Sequence, residues 1–140
     1  MAAINKGIDE EIFNSILEVN KSTSYHRLID MNITELGMGQ SIMEVKITDK
    51  HLNPLGIAHG GVLFSIMDTA MGMAARTLGK NIVTLEMNIN FIKPVMNNDT
   101  IKAIGKVVHT GKSTTIAVCD AYNQEGKLAA TARETFYNIK

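Results

Sequence analysis

One α+β layer, a single long helix laid against an antiparallel sheet, is the fold class this chain predicts. Three observations carry it. The stretch from about Gly60 to Leu78 is apolar on nearly every side. Strand-like segments of alternating apolar and polar residues follow it, and short turns separate them. A helix apolar all round is buried on most faces, and consecutive strands with short turns pair antiparallel. The 140 residues suit one domain with one core.

The elements follow in order. Ile8, Ile12, Phe13, Ile16 and Leu17 recur at helical spacing behind Asp9, Glu10 and Glu11. They predict a short amphipathic N-terminal helix packed on the body. Residues 1–24 are read as this helical segment and residues 25–140 as the core. Ile33 to Leu36 and Ser41 to Thr48 flank Gly37-Met38-Gly39, a hairpin whose apolar face holds Met43, Val45 and Ile47. Asn53-Pro54-Leu55-Gly56 is turn chemistry before the long helix, and Gly79 stops that helix. Val83, Leu85, Met87, Ile89 and Phe91 then alternate with Thr84, Glu86, Asn88 and Asn90, which puts Thr84 on the polar face. Ile101 to His109 and Ser113 to Tyr122 are joined by Thr110-Gly111-Lys112. Lys127 to Tyr137 is the last strand.

Composition narrows the function classes. The apolar fraction is 45% and the charged fraction 20%, with 14 basic and 14 acidic side chains. This balance excludes a global basic footprint for nucleic acid and a polybasic membrane anchor. Cys119 is the one cysteine and reads as a small buried strand residue; with no disulfide to form, a cytoplasmic location is expected. No signal peptide is expected. The longest apolar run, Val62 to Ala75, is broken by Ser65, Asp68, Thr69 and Gly72 and is shorter than the ~20 residues of a membrane span. His26, His51 and His109 are scattered and expected at the surface or in loops.

The chemistry concentrates in HLNPLGIAHGGVLFSIMDTAMG, His51 to Gly72. Asp68 lies about two turns into the long helix. Its helical neighbours Phe64, Ser65, Met71 and Gly72 are not basic, and Arg76 is about 12 Å further along the axis. An unpaired carboxylate in such a setting costs several kcal/mol, so a use for it is expected. At the helix start, His59-Gly60-Gly61 leaves backbone N–H groups without intrahelical partners. The missing Cβ atoms allow a substrate carbonyl to approach. The positive end of the helix dipole favours developing oxygen charge, as in an oxyanion hole.

Gly60 and Asp68 are eight residues apart on one helix, or about 12 Å. An attacking group and an oxyanion donor must each lie about 3 Å from the reacting atoms. Two chains related by a two-fold axis bring them together, with Gly60 of one facing Asp68 of the other. The site is therefore expected to be shared across a homodimer, with two equivalent copies.

The spacing of Asn53, His59, Gly60-Gly61 and Asp68, with VTLEMNINFIKPV and the later TGKST turn, resembles hotdog-fold thioesterases of the phenylacetic-acid-degradation type. These belong to the 4-hydroxybenzoyl-CoA thioesterase superfamily. The resemblance runs from about Tyr25 to Tyr137 and implies a sheet wrapped around the long helix. It also implies hydrolysis of an acyl- or aryl-coenzyme A to the free acid and CoA. Asp68 matches the acid that attacks the thioester or activates water, and the Gly60 N–H matches the oxyanion donor. Asn53 and His59 match polar residues around the thioester, and Thr84 matches a residue that positions water. Asp68 and Thr84 would come from one protomer and Asn53, His59 and Gly60 from its partner.

Relatives commonly pair two such dimers into a tetramer, and the resemblance implies no metal and no separate cofactor. Coenzyme A carries phosphates, so Gly61, Lys93, Lys112 and Ser113 are candidates for contacts with it, followed by Arg76 and Lys80. Two alternatives stay open at this point. Asp68 acts either as general base or as nucleophile. The chain is either a hydrolase or a non-catalytic acyl-CoA-binding protein, a sensor or scaffold, on the same fold. A hydratase on this fold would need a different arrangement of His and acid.

Overall fold

The computed structural model describes residues 2–140. The chain runs through β1 (Ile4–Asn5), α1 (Glu10–Ser22), α2 (Ser24–Ile29), β2 (Asn32–Gly37) and β3 (Gln40–Lys46). After a single 3₁₀ turn at Asp49–His51 come α3 (Gly60–Arg76), β4 (Asn81–Phe91), β5 (Thr100–Thr110), β6 (Thr114–Tyr122) and β7 (Leu128–Ile139). The seven strands make one sheet in the order β1-β2-β3-β5-β6-β7-β4.

Neighbouring strands are antiparallel throughout except β1, which runs parallel to β2. The sheet is thus mixed rather than wholly antiparallel. Two helices intervene between β1 and β2, and such a crossover returns the chain in its original direction. The two-residue β1 carries too little pattern to be legible in sequence. The six-residue α2 was not expected either. It ends on Asp30 in the left-handed conformation, φ 63°. α1 starts where expected, because the Asp9 carboxylate accepts the N–H groups of Glu11 and Ile12.

The sheet packs on α3 through β3 to β7. Its inner face is lined by small residues where the helix passes: Ala103 and Gly105 on β5, Ala117, Cys119 and Ala121 on β6, Ala130 and Ala132 on β7. A Cβ placed on Gly105 would come within 2.7 Å of the Ala70 carbonyl group, so the helix backbone rests directly on the strand. The Ser41 hydroxyl donates to the Ala70 carbonyl at 2.5 Å, a second close tie between helix and sheet. Larger side chains, among them Leu36, Met43, Met67 and Met71, fill the space around this contact and are fully buried. Each contributes on the order of 1.5–3 kcal/mol.

Between Gly60 and Arg76, only Gly60, Gly61, Phe64, Asp68 and Arg76 escape full burial. At 3.6 residues per turn these fall on one stripe. Asp68 is therefore on the single open side of the helix, half-buried, not sunk in the core.

Candidate active site

The long helix begins cleanly because His59 caps it. The His59 Nδ1 accepts the Gly61 N–H at 2.8 Å, which places the ring proton on Nε2. The Gly61 N–H is thereby engaged within the chain. The Gly60 N–H has no acceptor among the described residues. Gly60 opens onto a recess of about 290 Å³ lined by Ile57, Leu63, Phe91, Lys93 and Val95. The Phe91 ring lies where a Cβ on Gly60 would be 3.1 Å away.

Asn53 organises the approach to this helix. Its Oδ1 accepts the N–H groups of Leu55 and Ile57, at 2.9 and 3.3 Å. The carboxamide Nδ2 has no partner among the described residues. Asn53 is thus a turn residue with one amide donor left over.

Asp68 faces a different recess, of about 270 Å³, shared with Thr23, His26, Arg76, Ile82, Thr84 and Phe136 among others. The Thr84 hydroxyl lies 3.2 Å from Asp68 Oδ1 and 3.3 Å from Glu134 Oε1. Thr84 reaches the helix because of a bulge. The register of β4 against β7 shifts between Thr84 and Glu86, which leaves Leu85 as the extra residue. Side-chain parity reverses there, so Ile82 and Thr84 share the helix-facing side with Met87 and Ile89. The uninterrupted alternation expected from sequence put Thr84 on the opposite, polar face; the bulge corrects that.

Glu134 was not singled out in sequence. It is 0% exposed, and its Oε2 makes no hydrogen bond to a donor. The Glu134 carboxyl is pushed up to about 10, first by burial, then by its hydrogen bond to Asp68 and the Asp68 charge, with Thr84 opposing. A signal was present: Ala130, Ala132, Glu134, Phe136 and Asn138 alternate on one face of β7, and that face is buried.

The histidines divide. His109 is exposed as expected. His51 ends the 3₁₀ turn and is 2% exposed, not at the surface. Its Nε2 lies 2.8 Å from the Ile29 carbonyl and its Nδ1 accepts the Thr48 N–H, so it pins the loop to α2. His26 lines the Asp68 recess, where burial lowers its pKa; Asp68 opposes the shift and Arg76 adds to it. Cys119 is buried on β6, and that burial pushes its thiol up, which fits a structural strand residue.

The basic candidates sit in two places. Lys93 borders the Gly60 recess. Lys112 and Ser113 are exposed at the β5–β6 turn, where the Ser113 carbonyl accepts the Asn138 N–H beside the start of β4. That is the far end of α3 from Gly60. Arg76 borders the Asp68 recess, and Lys80 lies beyond it, near Glu11 and Ser15. A further recess, of about 810 Å³, lies against the outer face of β2, β3 and β5 and touches none of these residues. Among the described residues no group of three or more His, Cys, Asp or Glu side chains is placed to hold a metal ion. Among the described residues no helix is long and apolar enough to cross a membrane.

A sheet wrapped on one central helix, with an acid on that helix's open stripe and glycines at its start, defines a hotdog-fold protein. The chain belongs to the thioesterase superfamily, whose family model matches residues 55–130. It is 30% identical over 113 residues to the acyl-coenzyme A thioesterase PaaI of Escherichia coli, covering 81% of each chain. The solved structure of the E. coli PaaI protein superposes with a TM-score of 0.90 at 25% identity, over 96% of this chain and 97% of that one. A hypothetical thioesterase from Streptococcus pneumoniae, solved with coenzyme A, superposes with a TM-score of 0.76. It is 32% identical, over 78% of this chain and 85% of that one.

Proposed function

We propose that this chain hydrolyses the thioester of an acyl-coenzyme A, through a site completed only when two copies meet. The observation that carries this reading is the separation of Gly60 and Asp68. They line different recesses at two places along one helix, and each recess holds half of what acyl transfer needs. The fold supplies a means of joining them. β4 is an edge strand of eleven residues, with Val83 46%, Leu85 57% and Phe91 56% exposed. An exposed apolar edge of that length is a template for pairing with another strand. Antiparallel pairing of two β4 strands about a two-fold axis brings the Thr84 end of one beside the Phe91 end of the other. Asp68 then approaches the partner subunit's glycine-rich helix start.

In the joined site the thioester carbonyl accepts the Gly60 N–H, with the Asn53 amide as a further donor, while His59 holds the helix start in shape. Gly61 keeps that approach clear of side chains. Thr84 and Asp68 hold a water. Asp68 takes a proton as the water oxygen bonds to the acyl carbon; the carbon–sulfur bond then breaks and the proton goes to the departing thiolate. In the covalent variant Asp68 itself bonds to the acyl carbon and the carbon–sulfur bond breaks, so coenzyme A leaves as the thiolate. Water then cleaves the anhydride, restoring the Asp68 carboxylate and releasing the acid, and the water's remaining proton goes to the thiolate. The apolar walls of the Asp68 recess, among them Ile82 and Phe136, suit the acyl group. Lys93 of one protomer, with Lys112 and Ser113 of the other, suits the phosphates of coenzyme A. A dimer is the minimal active unit on this reading, and pairing of dimers into a tetramer is proposed with it.

The test is a panel of acyl-coenzyme A substrates read by a thiol reagent, with wild type and Asp68→Asn. The expected result is thiol release by wild type and a loss of at least ~10²-fold in kcat in the variant, with binding kept. Binding without thiol release by wild type would make the chain an acyl-CoA-binding protein instead. Single turnover in heavy-oxygen water separates the two roles of Asp68, since label enters its carboxylate only in the covalent route.

A further inference from the structure

We propose that Glu134 is the positioning acid of this site, its carboxyl sharing one proton with that of Asp68 so that the pair carries a single negative charge held on Asp68. This deepens the thioesterase reading and rests on it.

The geometry leaves little else for Glu134 to do. It is a carboxyl with no exposed surface, on the inner face of β7 between Ala132 and Phe136. The Thr84 hydroxyl bridges it to Asp68, 3.3 Å from Glu134 Oε1 and 3.2 Å from Asp68 Oδ1. Thr84 touches both acids and has only one proton to give. Glu134 Oε2 therefore stays without a donor, unless that oxygen itself carries a proton. Protonated, it becomes the donor and Asp68 the acceptor, and the orphaned atom is explained.

The surrounding charges agree. The other titratable groups within electrostatic reach of Glu134 are Asp68 on α3, Glu86 on β4 and Cys119 on β6. All three are negative when ionised. The basic groups of the recess, His26 and Arg76, stand on the Asp68 side, and neither makes a salt bridge with an acid there. Two carboxyls this close, one of them sealed from water, do not both ionise. The more exposed one, Asp68, keeps the charge. A neutral donor behind it fixes its rotamer, turns an oxygen towards the thioester and favours its ionised form.

The roles differ on substitution in a way a merely structural residue would not reproduce. Glu134→Gln keeps a donor of the same shape, since its amide N–H replaces the acid O–H. Glu134→Ala removes it. The measurement is kcat and KM against pH for both variants and for Asp68→Asn, with infrared spectra at neutral pH and a melting curve for each. Expected for Glu134→Ala is a kcat lowered by up to ~10²-fold with KM little changed, and an acid limb moved to higher pH. Expected for Glu134→Gln is retention of most activity and of the acid limb. The carbonyl stretch of a neutral carboxylic acid, present in wild type, is lost in both variants.

A lower melting temperature in Glu134→Ala with the acid limb unmoved would overturn the proposal. So would wild-type spectra lacking the neutral-acid band. Should Asp68→Asn turn over at the wild-type rate, the thioesterase reading of Asp68 fails and the positioning role falls with it. The infrared band still reports separately whether the proton is shared.

Discussion

The Thr84 hydroxyl stands 3.2 Å from the Asp68 carboxylate, joining the N-terminal part of β4 to the middle of the central helix. A bulge makes the contact, and it links a residue from an edge strand to one on the helix's open stripe. Sequence separation between the two is modest, but the pairing depends on the direction in which one side chain points. That direction has consequences for turnover.

Thr84→Val removes the hydroxyl without changing the shape of the side chain. Asp68 and Glu134 each lose a contact, and the water proposed to lie between Asp68 and the thioester loses its second holder. The expected outcome is a kcat reduced by up to ~10²-fold, with KM nearly constant. Thr84→Ser is expected to recover most of the loss. Steady-state kinetics on one acyl-coenzyme A checks both, and equal rates for all three proteins would remove Thr84 from the site.

Gly60→Pro deletes the proposed oxyanion donor while keeping the helical backbone, although the Phe91 ring must give way to the added Cβ. Proline is favoured at the first helical position, and His59 already holds φ −63° and ψ 136°, which a following proline accepts. Loss of one such donor costs ~10²–10³ in kcat. Mixing unfolded Gly60→Pro and Asp68→Asn chains and refolding them together gives heterodimers with one intact site each. Activity is expected to return in the mixture, though neither variant is active alone. No recovery would mean the two residues do not serve one site from two chains.

The proton on Glu134 sets a pH dependence of stability. In the folded chain its carboxyl is pushed up to about 10 from an ordinary 4.5, so folding is helped by retaining that proton. The contribution is whole below the unfolded value and is lost as pH rises towards the folded one. Across that window only the unfolded chain releases the proton, and the slope is at most ~1.4 kcal/mol per pH unit. Glu134→Gln does not titrate. Denaturant unfolding at intervals from about pH 6 to about pH 9 is expected to favour the variant increasingly over wild type. Parallel curves would mean that the carboxyl titrates near its ordinary value.

Gly105 tests the packing that carries the site. Its missing side chain lets β5 lie on the α3 backbone at Ala70. Gly105→Ala forces the helix and strand apart, at an expected cost of roughly 1–3 kcal/mol in chemical denaturation. The displaced helix would also carry Asp68 away from Thr84, so activity should fall before the protein unfolds.

Much of this was legible from residue order. The long helix was, because nothing but burial explains an apolar run of that length with Gly79 behind it. The β2–β3 hairpin was, because Gly39 accepts the positive φ that its turn needs. Asp68 and Gly60 stood out because a charge on an apolar helix and paired glycines at its start each violate an ordinary pattern. Glu134 did not stand out: on its strand it looks like one more acid beside Arg133, and only the closed sheet reveals which face is inward. β1 and α2 escaped because two and six residues are too few to show a period.

By itself the sequence determined the long helix and the longer strands and singled out Asp68 and Gly60 as candidates, since periodicity and local charge act over a few neighbours. Only the tertiary structure decided that Thr84 turns inward at a bulge and that Glu134 lies behind Asp68. It alone decided, too, that Gly60 and Asp68 open onto separate recesses. Those outcomes depend on strand register and on how closely the sheet wraps the helix. Both are set by packing between residues far apart in the chain.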